Sequence, residues 1–433
     1  MIPRVIALGL GMVLAAAAAS SEQVTFNKDV LPVLEKNCQG CHRPGEVGPM
    51  SFLTYKETRP WAKAIREAVL IKKMPPWFAD PHFGKFSNDR RLSESDINTL
   101  VAWADNGAPE GDPKDMPKPV EWLEGWNIGQ PDTVLEMPVA FPVPGGGVVE
   151  YQTVIIPTGF TEDKWIQVAE IRPGNRSVVH HVTAFMRPAG SSYLQDSPVG
   201  VPFLRQRRPA SEPPQPVRDT DRPEYVVGYT PGRPPSSFPT GMARLIKAGS
   251  DIVLSLHYTP NGKPTEDRTK IGFIFATAPV KQRVVNFMVA YRNIAIPPGE
   301  PNYRVNASLT LHDSSTLIRM WPHMHTRGKS YEYKIVYPSG ESQIVLSVPR
   351  YDFNWQLSYN LEKPLLLPKG TRVEGTAVFD NSPNNPFNPD PTSEVRWGDQ
   401  SWDEMMEGYF DLAIDAGMNP ADLRGRRPPP TED

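Results

Sequence analysis

The sequence predicts a multidomain fold in which a small all-α domain precedes two all-β sandwich domains with a jelly-roll-like arrangement. The chain has 433 residues, more than a single domain usually holds. Its 49 prolines argue against a largely helical protein. Beyond about residue 138, apolar residues change from helical spacing to alternation. The formal net charge of −3 argues against nucleic-acid binding.

Residues 1–20 have the pattern of a signal peptide. Arg4 precedes the apolar run Val5–Leu14, and the small residues of Ala15–Ser21 offer cleavage sites. The apolar run is too short for a membrane anchor, and no later segment reaches the length of a membrane span. We therefore expect a periplasmic or secreted protein with no membrane span.

The only two cysteines of the chain lie in one motif, Cys38-Gln39-Gly40-Cys41-His42. In C-x-x-C-H, both thiols form thioethers with haem and the histidine binds the iron. A thioredoxin-like redox pair would need a βαβ context, and half of a zinc site would need further ligands nearby. The motif therefore predicts one covalent haem c, held by Cys38, Cys41 and His42, and leaves no thiol for a disulfide.

The haem motif lies in the all-α domain, predicted over residues 24–111. The predicted helices are a short one capped by Asn27 and Asp29, a second over Lys56–Lys73, and a third capped by Ser93 and Asp96 and ended by Gly107 and Pro109. Helices on both sides of the motif, with Trp103 in the last one, resemble a small class I cytochrome c.

The second axial ligand of the haem iron is predicted to be Met74. Flanking prolines in Lys73-Met74-Pro75-Pro76-Trp77 favour a rigid loop that presents the thioether. Met50 and His82 are alternatives. A methionine opposite His42 would raise the potential of the haem and favour electron transfer over oxygen chemistry.

Residues 112–137 are predicted to be a linker, followed by β domains over 138–280 and 281–417 and a disordered tail over 418–433. The proline- and arginine-rich stretch Gly190–Gly241 has no periodicity and is predicted to be a functional or poorly ordered loop. The predicted strands are Glu150–Ile156, Lys164–Ile171, Ser177–Met186, Asp251–Tyr258, Lys270–Ala276, Val284–Tyr291, Ser308–Met320, Ser330–Tyr337, Glu341–Val348, Arg372–Phe379 and Gly408–Ile414.

Five histidines lie on these strands or directly follow one of them as candidate metal ligands. His323 and His325 share one face, because side chains alternate along a strand. His180 and His181 would point to opposite faces unless a bulge or a strand end turns them together. His257 lies on the face opposite the apolar Leu254 and Leu256. Each histidine has an ordinary structural interpretation, and imidazoles alone would also suit zinc. A thioether ligand would select copper, and Met405 in Asp403-Glu404-Met405-Met406 is available.

With these residues, the segment from about Asn127 to Gly417 resembles the copper type II, ascorbate-dependent monooxygenases, which include peptidylglycine α-hydroxylating and dopamine β-monooxygenases. The resemblance implies two copper ions. His180, His181 and His257 would hold an electron-transfer copper, and His323, His325 and Met405 an oxygen-activating copper. Tyr409 matches a tyrosine of the family's substrate site, so His323, His325, Met405 and Tyr409 are the implied catalytic residues.

Two departures from the family limit what the resemblance implies. The animal enzymes contain several disulfides, which this chain cannot form. In the peptide-hydroxylating enzyme of the family, an arginine two residues before His-x-His binds the carboxylate of the peptide. This chain has Trp321 at that position, and Arg319 and Arg327 are out of register. An apolar or aromatic substrate is therefore expected rather than a peptide.

The resemblance implies a periplasmic monooxygenase that inserts one oxygen atom of O2 into a C–H bond of a small organic substrate. The fused haem c would supply the electrons, which it would receive from an external donor such as another cytochrome or a quinol-linked carrier. A non-catalytic haem c and copper protein, active in electron transfer or copper binding, is the main alternative. A zinc hydrolase is a third hypothesis.

Overall fold

The computed structural model describes residues 23–123, 125–205 and 223–425 of the chain. The predicted signal peptide lies outside these ranges. Within them, no helix is long and apolar enough to cross a membrane. The chain divides into two compact units. A helical unit contains the described residues of 1–43 together with 50–73 and 92–119, and a β unit contains 44–49, 74–91 and the described residues of 120–433.

Short helices around one apolar core form the helical unit. Trp103 and Leu34 are fully buried in this core and pack with Phe26 and Leu100. The helices are α1 Leu31–Asn37, α2 Tyr55–Thr58, α3 Ala62–Leu70 and α4 Glu94–Asp105, with a π-helical turn at Phe26–Val30 and 3-10 turns at Arg59–Trp61 and Pro113–Asp115.

The predicted third helix is confirmed, whereas the first two predictions need correction. The Ser93 side chain caps α4 by accepting the backbone N–H of Asp96, and Asp96 returns a bond to the Ser93 backbone. The predicted helix Lys56–Lys73 is divided by the 3-10 turn that contains Pro60, and it ends at Leu70. Neither Asn27 nor Asp29 caps α1, because both lie inside the π-helical turn that precedes it.

Twenty-two strands run through the described part of the β unit, as the alternating pattern predicts. Those of the first part are β1 Thr133–Glu136, β2 Phe141–Val143, β3 Gln152–Pro157, β4 Lys164–Arg172, β5 Val179–Arg187, β6 Phe203–Leu204, β7 Glu224–Tyr229, β8 Ser236–Ser237, β9 Met242–Ile246, β10 Asp251–Tyr258, β11 Thr265–Asp267 and β12 Lys270–Phe275. Those of the second part are β13 Gln282–Tyr291, β14 Ala295–Ile296, β15 Tyr303–Thr310, β16 Ser315–His323, β17 Gly328–Val336, β18 Ser342–Val348, β19 Tyr359–Leu367, β20 Arg372–Phe379, β21 Val395–Arg396 and β22 Met406–Asp415.

Two apolar cores lie between these sheets, consistent with the predicted sandwiches. The largest sheet has the order β1-β12-β4-β9-β13-β22-β16-β19, with β8 also on β4. In the first core, its strands β4 and β12 pack with the sheet β6-β3-β10-β5-β7. In the second core, its strands β13 and β22 pack with the sheet β15-β20-β17-β18. The remaining strands form the pairs β2 with β11 and β14 with β21.

The largest sheet continues from one core into the other. Strands β9 and β13 pair in parallel, with Met242 opposite Gln282 and Ala243 opposite Arg283. This pairing bridges residue 280, where the sequence suggests a domain boundary.

Several segments of the β unit differ from their predicted description. The predicted strand Ser308–Met320 is two strands, β15 and β16, separated by a turn. The stretch Gly190–Gly241 is not only loop, because β7 pairs with β5 inside it, and residues 206–222 of it lie outside the described part. The predicted linker ends in β1, which pairs with β12. The predicted disordered tail begins with α5, Pro420–Arg424, whose Leu423 is fully buried.

Candidate metal centres

A β-bulge brings His180, His181 and His257 together. Strands β5 and β10 pair antiparallel, with His181 opposite His257. The next pair is Tyr258 with Val179, so His180 is an extra residue in β5. A bulge of this kind rotates one residue out of the strict alternation of a strand. It therefore allows adjacent histidines to serve one site, which was one of the two possibilities considered from the sequence.

The three rings form a compact group of potential ligands. Each offers a ring nitrogen, and these nitrogens lie within 4.8 Å of one another. The Nδ1 atoms of His180 and His181 are 3.1 Å apart. The ring of Tyr151 stacks on His257 with 4.6 Å between centroids. Three converging imidazoles with an aromatic support can hold a metal ion of the zinc or copper class.

His323 and His325 form a second group where β16 ends. Their ring centroids are 5.2 Å apart and the planes are nearly perpendicular. His323 donates its Nδ1 hydrogen to Oε1 of Gln356 at 2.6 Å, and His325 donates its Nδ1 hydrogen to the carbonyl oxygen of Asp403 at 3.1 Å. Bonds of this type fix the tautomer and the ring orientation, so both Nε2 atoms remain available for a metal ion.

The buried carboxylate of Glu404 holds the turn that contains His325. Its oxygens accept the backbone N–H groups of His325 at 2.9 Å and Arg327 at 2.6 Å. Burial raises the pKa of Glu404 to about 8, although these hydrogen bonds oppose the shift. The guanidinium of Arg327 donates to Asn381 and to the carbonyl oxygen of Trp402. These hydrogen bonds of Arg327 therefore stabilise the structure around the turn.

Met405 and Tyr409 line the same cavity as His323 and His325, which has a volume of about 2170 Å³. Tyr409 donates its hydroxyl hydrogen to Glu407 at 2.6 Å. Its ring stacks on Trp321 with 5.5 Å between centroids. The structure thus gathers the residues that the sequence proposed for the second centre around one cavity.

Burial lowers the pKa of His180, His181, His257 and His325 and so favours their neutral form. It lowers the pKa of His180 to about 4 and that of His257 to about 3. Burial and the neighbouring rings also hold the pKa values of His181 and His325 well below the ordinary value. Neutral imidazole is the form that binds metals, so these rings meet the protonation requirement of a metal site.

Unpartnered ring nitrogens test whether the residues fit a metal ion. Among the described residues, Nε2 of His180, Nδ1 of His257 and Nε2 of His325 are buried and have no hydrogen-bond partner. A buried polar atom without a partner costs about 1–3 kcal/mol. Coordination of a metal ion would remove this cost, so both histidine groups fit the ions that the sequence predicts.

The two histidine groups are neighbours. His181 and His323 lie 6.2 Å apart between ring centroids. The ring of Phe353 lies 4.9 Å from His180 and 6.1 Å from His325, so it contacts one member of each group. The five histidines therefore form one continuous cluster.

In the helical unit, the Cys38–His42 motif follows α1 as a tight turn. The N–H groups of Cys41 and His42 both bond to the carbonyl oxygen of Cys38. The ring of His42 stacks on Phe52 and donates its Nδ1 hydrogen to the carbonyl oxygen of Met50 at 3.3 Å. Both cysteine residues are half-buried, and burial raises the pKa of the Cys38 thiol to about 12. This donor set fits a covalently attached haem whose iron would take Nε2 of His42.

The three candidates for the distal haem ligand lie in different surroundings. The backbone carbonyl oxygen of Met50 lies 3.3 Å from Nδ1 of His42, and Met50 stays an alternative ligand. His82 is exposed and bonds to Asp80. Met74 begins the segment 74–91, which groups with the β unit, whereas His42 belongs to the helical unit. Met74 stays a prediction.

Comparisons with known proteins give no assignment. No protein-family model matches the chain, and no curated protein does. Among solved structures, a mutant VP2 protein of infectious bursal disease virus is 11% identical, with a TM-score of 0.19, over 68% of this chain and 72% of that chain. PNGF-II is 9% identical, with a TM-score of 0.25, over 64% of this chain and 65% of that chain. At such TM-scores the similarity supports no conclusion about function.

Several residues of the site were not predicted from the sequence. Gln356 and Phe353 lie in the loop between β18 and β19, and Tyr151 immediately precedes β3. Arg233, which contacts Trp321, lies between β7 and β8. No motif marks these positions, because their contacts depend on how distant strands are arranged.

Proposed function

We propose that this chain is a copper-dependent monooxygenase that inserts one oxygen atom of O2 into a C–H bond of a small organic substrate. The observation that carries the proposal is the five-histidine cluster, whose second group shares a cavity with Met405 and Tyr409. A thioether beside imidazoles favours copper over zinc. The family resemblance of these same residues supports the same reaction.

Copper bound here would supply one-electron redox chemistry and dioxygen activation. The residues of the chain fix the geometry for it. Gln356 and the Asp403 carbonyl orient His323 and His325, and Glu404 holds the turn that contains His325. Trp321 and Tyr409 provide a stacked aromatic wall against which the apolar part of a substrate would pack. Burial holds the pKa of Tyr409 well above its usual range, so its hydroxyl remains protonated and donates to Glu407.

We further propose that the helical unit carries one haem c and supplies electrons to the β unit. Each copper ion stores one electron and the reaction consumes two, so a source of electrons is required. A haem on the same chain has a high effective concentration for this transfer if the connecting segments allow approach. The electron donor to the haem would be another cytochrome or a quinol-linked carrier, in the periplasm or outside the cell.

Metal content and oxygen consumption test the proposal together. We expect one haem and two copper ions per chain, and substrate-dependent O2 consumption once the haem is reduced. His323→Ala should remove one copper ion and abolish the consumption. The matched control, His312→Ala, changes an exposed histidine outside the cavity and should alter neither. Two bound copper ions without O2 consumption for any substrate would favour a non-catalytic electron-transfer or copper-binding protein.

A further inference from the structure

The β unit buries an excess of positive charge beside the aromatic wall. Arg244 donates to one oxygen of Asp411 at 3.1 Å, and Arg319 donates to the other oxygen at 3.0 Å. Both guanidinium groups and the carboxylate are almost completely buried. A third guanidinium, that of Arg233, lies close enough to Arg319 for the two charges to repel. Three cations thus surround one carboxylate.

Arg233 has no carboxylate partner among the described residues. Its hydrogen bond is to the hydroxyl oxygen of Tyr225, which accepts from Nη2 at 2.9 Å. Its guanidinium carbon lies 4.8 Å from the centre of the Trp321 ring and 6.0 Å from that of Tyr225. Burial lowers the pKa of Arg233, which reflects the cost of a charge at this position. A desolvated guanidinium usually has an anionic partner.

The position of Arg233 connects this charge to the candidate catalytic centre. Arg233 lines the cavity that His323, His325 and Met405 also line. Trp321, which Arg233 contacts, lies two residues before His323 and stacks on Tyr409. A molecule that packs along this aromatic wall would reach both the guanidinium and the histidines.

We infer that Arg233 binds the carboxylate of the substrate and that the apolar body of the substrate packs against Trp321 and Tyr409. The inference rests on the proposed function and names its substrate class, a small organic acid with an apolar body. A guanidinium pairs with a carboxylate through two parallel hydrogen bonds, and a water-poor site strengthens them. One unpaired guanidinium matches one monoanion. Arg319 and Arg244 do not compete for the substrate because Asp411 already occupies both.

Binding of matched ligands tests this inference without turnover. The probes are phenylacetate, 3-phenylpropionate and benzoate, each compared with its neutral amide by calorimetry on the oxidised, metal-loaded protein. We expect the wild type to prefer the acids. Arg233→Gln should weaken acid binding by about tenfold or more and leave amide binding unchanged. Arg233→Lys keeps the charge and loses the planar fork. Its affinity for the acids should lie between that of the wild type and that of Arg233→Gln.

Arg304→Gln is the matched control, because Arg304 is exposed on β15 and lies outside the cavity. It should bind the acids like the wild type, and circular dichroism checks that all variants are folded. Equal affinity of the wild type for acids and amides, or an unchanged acid affinity in Arg233→Gln, would overturn the inference.

The outcomes also separate this inference from the proposed function. If Arg233→Gln loses the preference for acids while no acid supports O2 consumption, the carboxylate site stands and the monooxygenase proposal fails. If a neutral substrate is oxidised at the same rate by the wild type and Arg233→Gln, the monooxygenase proposal stands and the inference fails.

Discussion

The imidazole rings of His181 and His323 lie 6.2 Å apart, although 142 positions separate these residues in the chain, from 181 to 323. One belongs to β5 and the other ends β16. Each is a candidate ligand of a different metal ion. Ions held by these two groups would therefore be near neighbours.

Such proximity predicts magnetic interaction between two bound Cu(II) ions. We expect the spin-resonance spectrum of the doubly loaded protein to be broadened, or weaker than the sum of the singly loaded forms. His257→Ala and His325→Ala provide the singly loaded references. His312→Ala should give the spectrum of the wild type. A spectrum equal to the simple sum would mean that the ions are farther apart than the rings indicate.

Gln356 is predicted to control the affinity of the second centre for copper. Gln356→Leu removes the acceptor for the Nδ1 hydrogen of His323, so the ring loses its fixed tautomer and orientation. Loss of such a partner typically lowers metal affinity by about 10–100-fold. Competition with a copper chelator measures the change. Gln343→Leu, at an exposed position of β18, is the control and should leave the affinity unchanged.

Asp411 is predicted to be a major contributor to the stability of the β unit. Asp411→Asn leaves the buried guanidinium groups of Arg244 and Arg319 without a counter-charge, at a cost of about 3–5 kcal/mol in the free energy of unfolding. Glu374→Gln is the control, because its pairs with Arg372 and Lys334 lie near the surface and contribute about 0–1 kcal/mol. Urea unfolding at pH 7 compares the two. Similar losses in both variants would contradict the prediction.

The same carboxylate gives a pH dependence with a defined sign. Burial alone would raise the pKa of Asp411, but the Arg319 and Arg244 charges outweigh it and lower the pKa below its ordinary value. The contribution of Asp411 to the free energy of unfolding is therefore complete above the unfolded-state pKa of about 3.9. It is lost as the pH falls through the folded-state pKa. The stability difference between wild type and Asp411→Asn should stay constant from about pH 7 to 5 and shrink below about pH 4. A difference that grows on acidification would refute this assignment.

Two methionine variants test the haem ligands. Met74→Leu should abolish the sulfur-to-iron charge-transfer band of the oxidised haem, because leucine cannot bind iron. Met50→Leu should retain the band, because Met74 is the predicted ligand. Cys38→Ser with Cys41→Ser should prevent covalent haem attachment and leave copper binding intact. Loss of the band in Met50→Leu alone would reverse the ligand assignment.

Local patterns explain which parts of the fold were predictable. Alternation located most long strands, and the Ser93 capping box placed the start of α4. Short or irregular strands such as β7 and β9 were not predicted, because they are defined by their partner strands rather than by their own periodicity. The bulge at His180 was only one of two options, since the register of β5 depends on β10.

The candidate site was likewise predictable from the sequence only in part. The histidines and Met405 were recognisable because metal coordination restricts the residue types that can serve. Arg233 and Gln356 were not, because each contacts the site from a loop between distant strands. The expectation of an apolar or aromatic substrate followed from Trp321 alone, and the charge of Arg233 beside Trp321 is visible only in three dimensions.

The parallel pairing of β9 with β13 sets a limit on engineering this protein. A cut near residue 280 would leave two unpaired strand edges, and unpaired edges favour aggregation. It would also separate Arg244 from Asp411 and His181 from His323. Neither half expressed alone would retain a complete histidine cluster, so truncation and domain exchange should treat the two cores as a single unit.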